Sequence, residues 1–147
     1  MRVLGCAMYA TKQDMTNKFG EREVIALTDR EPYQNLINDN VLNDAIAAVS
    51  AEIDSYIGSR YPTPLNPVPK IVSYMACDMV RYYLTGAAAT ETDPITMRYK
   101  NAVKFFGEVS KGVVTLGGMP NEAGVAKTTA NTVHMVSGGR VFERGTF

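Results

Sequence analysis

Few residues in this chain could do covalent or acid–base chemistry, and they do not converge. The single histidine, His134, lies near the C-terminal end, far in sequence from Cys6 and Cys77, with no carboxylate beside it to orient the ring. Nucleophilic catalysis needs nucleophile, base and orienting group within hydrogen-bond reach, so His134 reads as a packed or solvated tail residue. Cys6 and Cys77 match no metal-ligand spacing; Cys77 sits in an apolar helical run and reads as a reduced, buried thiol in a reducing compartment. Gly117, Gly118 and Gly124 lack the strand-to-helix context and the glycine-lysine-serine/threonine ending of a phosphate-binding loop. Asp78 and Arg81, three apart on a helix, can share one face and are expected to form a structural ion pair. The remaining carboxylates are scattered. No enzymatic activity, metal or cofactor is expected.

The elements that position these residues read as one helical domain. A chain of 147 residues is long enough to bury a core without a disulfide or a metal. Lys plus Arg and Asp plus Glu are 15 each, so no net field draws in nucleic acid or anionic lipid, which disfavours a free-standing DNA binder. The start, MRVLGCAM, lacks the apolar stretch of about 7 to 15 residues that a signal peptide needs, and Asp78 and Arg81 interrupt the most apolar helix, so neither export nor a membrane span is expected.

The chain turns on the stretch Asn40 to Pro69. Leu42, Ile46, Val49, Ile53, Tyr56 and Ile57 recur at steps of three and four, which predicts an amphipathic helix with Asn40 as its cap. Pro62, Pro64, Pro67 and Pro69 end it and keep the next residues extended. Before it, Thr11 and Asp14 form a capping-box start for a short helix that Gly20 stops, and Glu21 to Leu27 reads as a second. Tyr33 to Asp39 is a loop or a single turn. After it, Pro69 to Thr85 reads as a helix apolar on nearly its whole circumference, which suits the middle of a bundle or a subunit contact. Asp93-Pro94 starts a last helix, with Ile95, Tyr99, Ala102, Val103, Phe106 and Val109 on one stripe, which Gly112 closes.

The fold class is therefore mainly α, a bundle of four to five helices over residues 1–116. Residues 117–147 form an extended C-terminal tail, and Val113 to Leu116 can make a brief strand. The tail has no helical stripe and too few large apolar residues to fold alone. Its end, RVFERGTF, regains aromatics behind a glycine spacer, so it reads either as a segment ordered on a partner or as a frayed terminus.

Four segments carry a resemblance: Met8 to Arg30, Ala45 to Leu65, Val68 to Leu84 and Arg98 to Leu116. With their motifs YAT-xx-D-M followed by FGE, ID-x-YI-xx-RY-P-x-PL and CD-x-VRYYL, the chain resembles the small Mu-like phage and prophage head-tail connector family. The resemblance implies a bundle of the phage head-tail adaptor type and a role without a reaction: head completion in the virion neck, after synthesis in the host cytoplasm. The implied partners are the portal protein, further copies in a twelvefold ring, and a stopper or tail-completion protein; genomic DNA would pass through the lumen without sequence-specific binding, and no membrane is involved. Head-to-tail contacts within a ring suit extended arms and apolar helix faces. On this reading Tyr9 to Thr11 and Arg60 to Leu65 are fold-defining turns, with Arg60 and Tyr61 as an alternative subunit contact. Val141, Phe142, Arg144 and Phe147 are the expected portal- or neighbour-binding residues of the tail.

Two other classes stay open on the residues alone. A small helical DNA-packaging factor would need a basic recognition helix, and the helices here are apolar or charge-balanced. A stopper or tail-completion protein would be expected to be richer in strand.

Overall fold

Three of the five described helices begin where a side chain, of Thr11, Asn38 or Asp93, satisfies a free amide of the first turn. The computed structural model describes residues 8–117 and contains five α-helices: α1 (Lys12–Phe19), α2 (Glu21–Thr28), α3 (Asp39–Ile57), α4 (Lys70–Thr85) and α5 (Pro94–Lys111), with a 3-10 turn at Gly86–Ala88. The protein is mainly α, and the described residues contain no strand. Thr11 caps α1 in a reciprocal box: its hydroxyl accepts from the Asp14 amide at 3.2 Å, and its own amide donates to the Asp14 carboxylate at 3.0 Å. Gly20, at φ 88, turns the chain between α1 and α2 in backbone space that favours glycine. Asp93 caps α5 by accepting from the Ile95 amide at 3.0 Å. At the far end Gly112 is left-handed, φ 81, and Val113 donates to the Glu108 carbonyl at 3.0 Å, which closes a Schellman-type end.

Two expectations are corrected at this level. Helix α3 is capped by Asn38, whose Oδ1 accepts from the Val41 amide at 3.3 Å; Asn40 lies inside the first turn. The earlier start puts Asp39 at the positive end of the helix dipole, where a carboxylate is favoured. Val113 to Leu116 do not form a strand. Among the described residues no partner strand is at hand, and the Leu116 amide instead donates to the Tyr61 hydroxyl at 3.0 Å while the leucine side chain is buried. Tyr33 to Asn38 run as loop between α2 and α3.

Helix α4 is the hub of the bundle. It packs on α3, α5, α1 and α2, while α5 packs on α3 and α4. Leu42, Ile46, Val49, Ile53 and Ile57 of α3 meet Val72, Ala76, Met79 and Val80 of α4 and Ala102, Phe106 and Val109 of α5 in one core. Met15 of α1 and Val24 of α2 close it. Burying each of the larger side chains, Val, Leu, Ile, Met or Phe, contributes about 1.5–3 kcal/mol, which is what fixes the helices against one another.

Candidate assembly surface

Two tyrosines lock the non-helical segments to the bundle. Tyr9 is buried, with its amide donating to Ser50 Oγ of α3 at 3.2 Å. Its hydroxyl donates to the Asp54 carboxylate and accepts from the Leu65 amide at 3.1 Å. One side chain thus ties the segment before α1, the C-terminal end of α3 and the proline loop together. Tyr61 does the same for the segment after α5, through Leu116. These links join the YAT, ID and P-x-PL motifs physically: the Tyr9 hydroxyl bonds the Asp54 side chain and the Leu65 backbone amide.

Around the hub, α4 is uncovered along one edge. Ile71 and Tyr74 are 43% and 57% exposed, between α1 on one side and α5 on the other. A cavity of about 540 Å³ lies against α1 there, lined by Asp14, Asn17, Lys18, Ile71, Tyr74 and Cys77 among others. A second, of about 260 Å³, lies against α5 between Tyr74, Met75, Asp78, Arg98 and Asn101. At the floor Lys18 reaches across from α1: its ammonium is 2.8 Å from Asp78 Oδ2, 2.8 Å from the Tyr74 carbonyl and 3.3 Å from the centre of the Tyr74 ring. The Arg98 guanidinium approaches Asp78 Oδ1 at 3.9 Å, and that oxygen receives no hydrogen bond. The floor is a buried ion pair with a second cation at its rim.

The same surface has little chemistry to offer. Burial pushes the Cys77 thiol up to about 11 despite the opposing pull of Lys18, so it stays protonated and weakly nucleophilic at neutral pH. Tyr99, stacked on Tyr82 with ring centres 4.2 Å apart and bonded to Glu52 at 2.9 Å, is pushed up to about 12 by burial and by that carboxylate. Among the described residues no group of three His, Cys, Asp or Glu could hold a metal ion, and no helix is long and apolar enough to cross a membrane.

The expected site residues fare differently. Asp78 and Arg81 do not pair with each other: Asp78 goes to Lys18, and Arg81 binds Glu23 of α2 at 2.5 Å, its guanidinium stacked over Phe19. Three positions along a helix displace two side chains by about 60°, and here that sends Asp78 toward α1 and α5 and Arg81 toward α2. Tyr61 is 1% exposed, so its ring packs in the core, and the fold-defining reading is the one its burial fits. Arg60 lies beside it with its guanidinium against Gly112, where a cation meets the negative end of the α5 dipole. Val141, Phe142, Arg144 and Phe147, like His134 and Cys6, lie outside the described residues. Lys18, Asp54 and the Tyr9 hydroxyl were not singled out from sequence, although the two motifs holding Tyr9 and Asp54 were.

The described residues thus form an α-helical bundle whose flanking segments at Tyr9 and Leu116 are locked by tyrosine hydroxyls, with an open edge on its hub helix. The chain belongs to the family described as Bacteriophage Mu, Gp36, whose model matches residues 9–136, and so is a Mu-type phage protein. It is similar to the Mu-like prophage FluMu protein gp36 of Haemophilus influenzae, at 27% identity over 139 residues that cover 95% of each chain. It is likewise similar to gene product J of Escherichia phage Mu, at 28% identity over 136 residues, 92% of this chain and 94% of the relative.

Proposed function

We propose that the chain is a non-enzymatic structural protein of the phage virion, a head-completion adaptor at the head-tail junction. Copies assemble as a ring with the portal's twelvefold symmetry beneath the portal protein. The far side of the ring receives a stopper or tail-completion protein, and genomic DNA passes through the lumen without sequence-specific binding. The observation that carries this reading is the uncovered edge of α4, where Ile71 and Tyr74 stand exposed, with one cavity against α1 and another against α5, in a chain of a Mu-type phage family. Aromatic side chains beside buried charge pairs are the usual anchors of protein–protein contacts.

The tail residues Val141, Phe142, Arg144 and Phe147 dock on the portal or an adjacent copy. Deleting Gly138 to Phe147 is expected to block attachment to portal-filled heads and leave the helical bundle folded. Phage lacking the whole gene should accumulate heads that package DNA, lose it and take no tails. A normal yield of tailed, infectious particles without the gene would refute the proposal, and normal head attachment by the truncated chain would refute the role of the tail.

A further inference from the structure

Charge is segregated over a molecule that is neutral overall. Helix α5 carries Arg98, Lys100, Lys104 and Lys111 against the single acid Glu108. At about 100° per residue, Lys100, Lys104 and Lys111 fall within about 40° of one another, over about 16 Å of helix length. They point away from the core, since Ala102, Phe106 and Val109 occupy the opposite side. All three are exposed, and none has an ion-pair partner among the described residues. Gly107 lies on the same face, and a methyl group there would meet no atom within 4 Å, which leaves a notch between the lysines. Exposed Met97 (57%) and Val113 (74%) flank the stripe.

The opposite character appears at the other end of the fold. From Glu21 to Asp44 six carboxylates stand against Arg22 and Arg30. Glu23 is taken by Arg81, while Glu21, Glu31 and Asp39 remain at the surface around the loop that joins α2 to α3. Asp39 is met only by the exposed Lys12, at 2.7 Å. That loop is braced: Asp29 accepts from the Gln34 amide at 3.2 Å and the Asn35 amide at 2.9 Å, and Thr28 Oγ1 accepts from the Asn38 amide at 3.2 Å. The brace holds Tyr33 and Leu36 outward, 73% and 64% exposed. Preorganised apolar side chains inside a charged rim lose little entropy on docking.

These two surfaces cannot meet within one copy. The Tyr99–Glu52 bond and the seat of Arg60 on Gly112 set α5 alongside the C-terminal half of α3. Asp39 lies about 20 Å further up α3 from Glu52. Complementary patches at different places on one subunit make a heterologous, head-to-tail contact, the kind that closes into a ring. We infer that copies join through the Lys100–Lys104–Lys111 face of α5 on one subunit and the acidic α2–α3 loop of the next, with Tyr33 and Leu36 seated against Met97, Val113 and the Gly107 notch. The inference rests on the ring reading above and names its subunit contact.

The test is a charge exchange in the full-length chain. One variant carries K100E, K104E and K111E, and the other E21K, E31K and D39K. Far-UV circular dichroism first establishes that each is helical. By sedimentation velocity at about 50 mM salt, each variant alone should associate at least about tenfold more weakly than wild type, because both of its patches then carry one sign. The equimolar mixture should recover association, and about 500 mM salt should abolish it. Y33S/L36S in the wild-type background should weaken association without altering net charge, a readout that does not depend on the second variant folding. A mixture that behaves as the sum of its parts, or a triple lysine variant that associates like wild type, overturns the inference. So does loss of duplex DNA retention by the lysine variant with self-association intact, which would assign the stripe to DNA phosphates. Wild-type chain that adds to portal while the mixture fails to associate sinks only this contact; wild-type chain that ignores portal sinks the ring reading itself.

Discussion

Replacing Tyr9 by phenylalanine removes one oxygen atom and keeps the buried ring, so its cost reads the hydroxyl alone. That hydroxyl donates to the Asp54 carboxylate and accepts from the Leu65 amide. A hydrogen bond to a charged group contributes about 1.5–3 kcal/mol, and an orphaned buried amide costs about 1–3 kcal/mol. Asp54 is only partly buried and can recover water, which brings the first figure to its lower end. The two together predict a loss of about 3 kcal/mol, or roughly 10 °C in Tm for a domain of this size. The chain has no tryptophan, so urea unfolding is followed by far-UV circular dichroism. Tyr61→Phe is the internal comparison: it loses one uncharged bond, from the Leu116 amide, and should cost about 1–2 kcal/mol. A Tyr9→Phe midpoint within about 0.5 kcal/mol of wild type would refute the claim that this hydroxyl ties the N-terminal segment and the proline loop to α3.

Lys18→Met should cost about 3–5 kcal/mol by leaving the Asp78 carboxylate buried with only Arg98 at 3.9 Å, and adding Asp78→Asn should recover part of it; equal stability of Lys18→Met and wild type in urea would contradict the buried pair. Gly112→Ala should destabilise by about 1 kcal/mol or more, because φ is 81 and the new methyl would collide with the Arg60 guanidinium. Gly107→Ala, in open space inside α5, should instead stabilise the bundle by about 0.5–1 kcal/mol, and thermal melts of the two variants should move in opposite directions. The Cys77 thiol and Tyr99 hydroxyl are held protonated in the fold, up to about 11 and about 12 from ordinary values of 9.0 and 10.0. Their stabilising share is whole below about pH 9 and is lost as the pH climbs through 11 and 12, so urea midpoints should fall across that alkaline window; midpoints flat to pH 11 would contradict the burial of the thiol.

Local chemistry explains what could be read before the structure. The capping box at Thr11, Gly20, Pro69, Asp93-Pro94 and Gly112 mark ends of α1, α2, α4 and α5 because each signal works on the nearest backbone groups, within one turn. Helix α3 was legible from its stripe, but its cap was not, since Asn38 and Asn40 offer the same side chain and only the loop's geometry chooses between them. Partnerships across the bundle were not legible. Asp78 and Arg81 are neighbours by spacing, yet each finds a better counterion on another helix, and no periodicity in α4 reveals Lys18 or Glu23. The near-complete apolar circumference of α4 suggested the middle of a bundle or a subunit contact; its aromatic content hid the fact that Tyr74 and Tyr83 stay exposed while Asp78 is buried. Burial here follows which neighbour is present, and a tyrosine tolerates either outcome. The candidate assembly surface is therefore a product of tertiary packing, and only its apolar composition was visible beforehand.

The most direct test of an adaptor role is the mass added to purified portal rings by the wild-type chain, measured by light scattering across a titration. Saturation is expected at a ring-sized stoichiometry, one copy for each portal subunit, with excess chain left unbound. Portal rings that keep their own mass throughout the titration would contradict it.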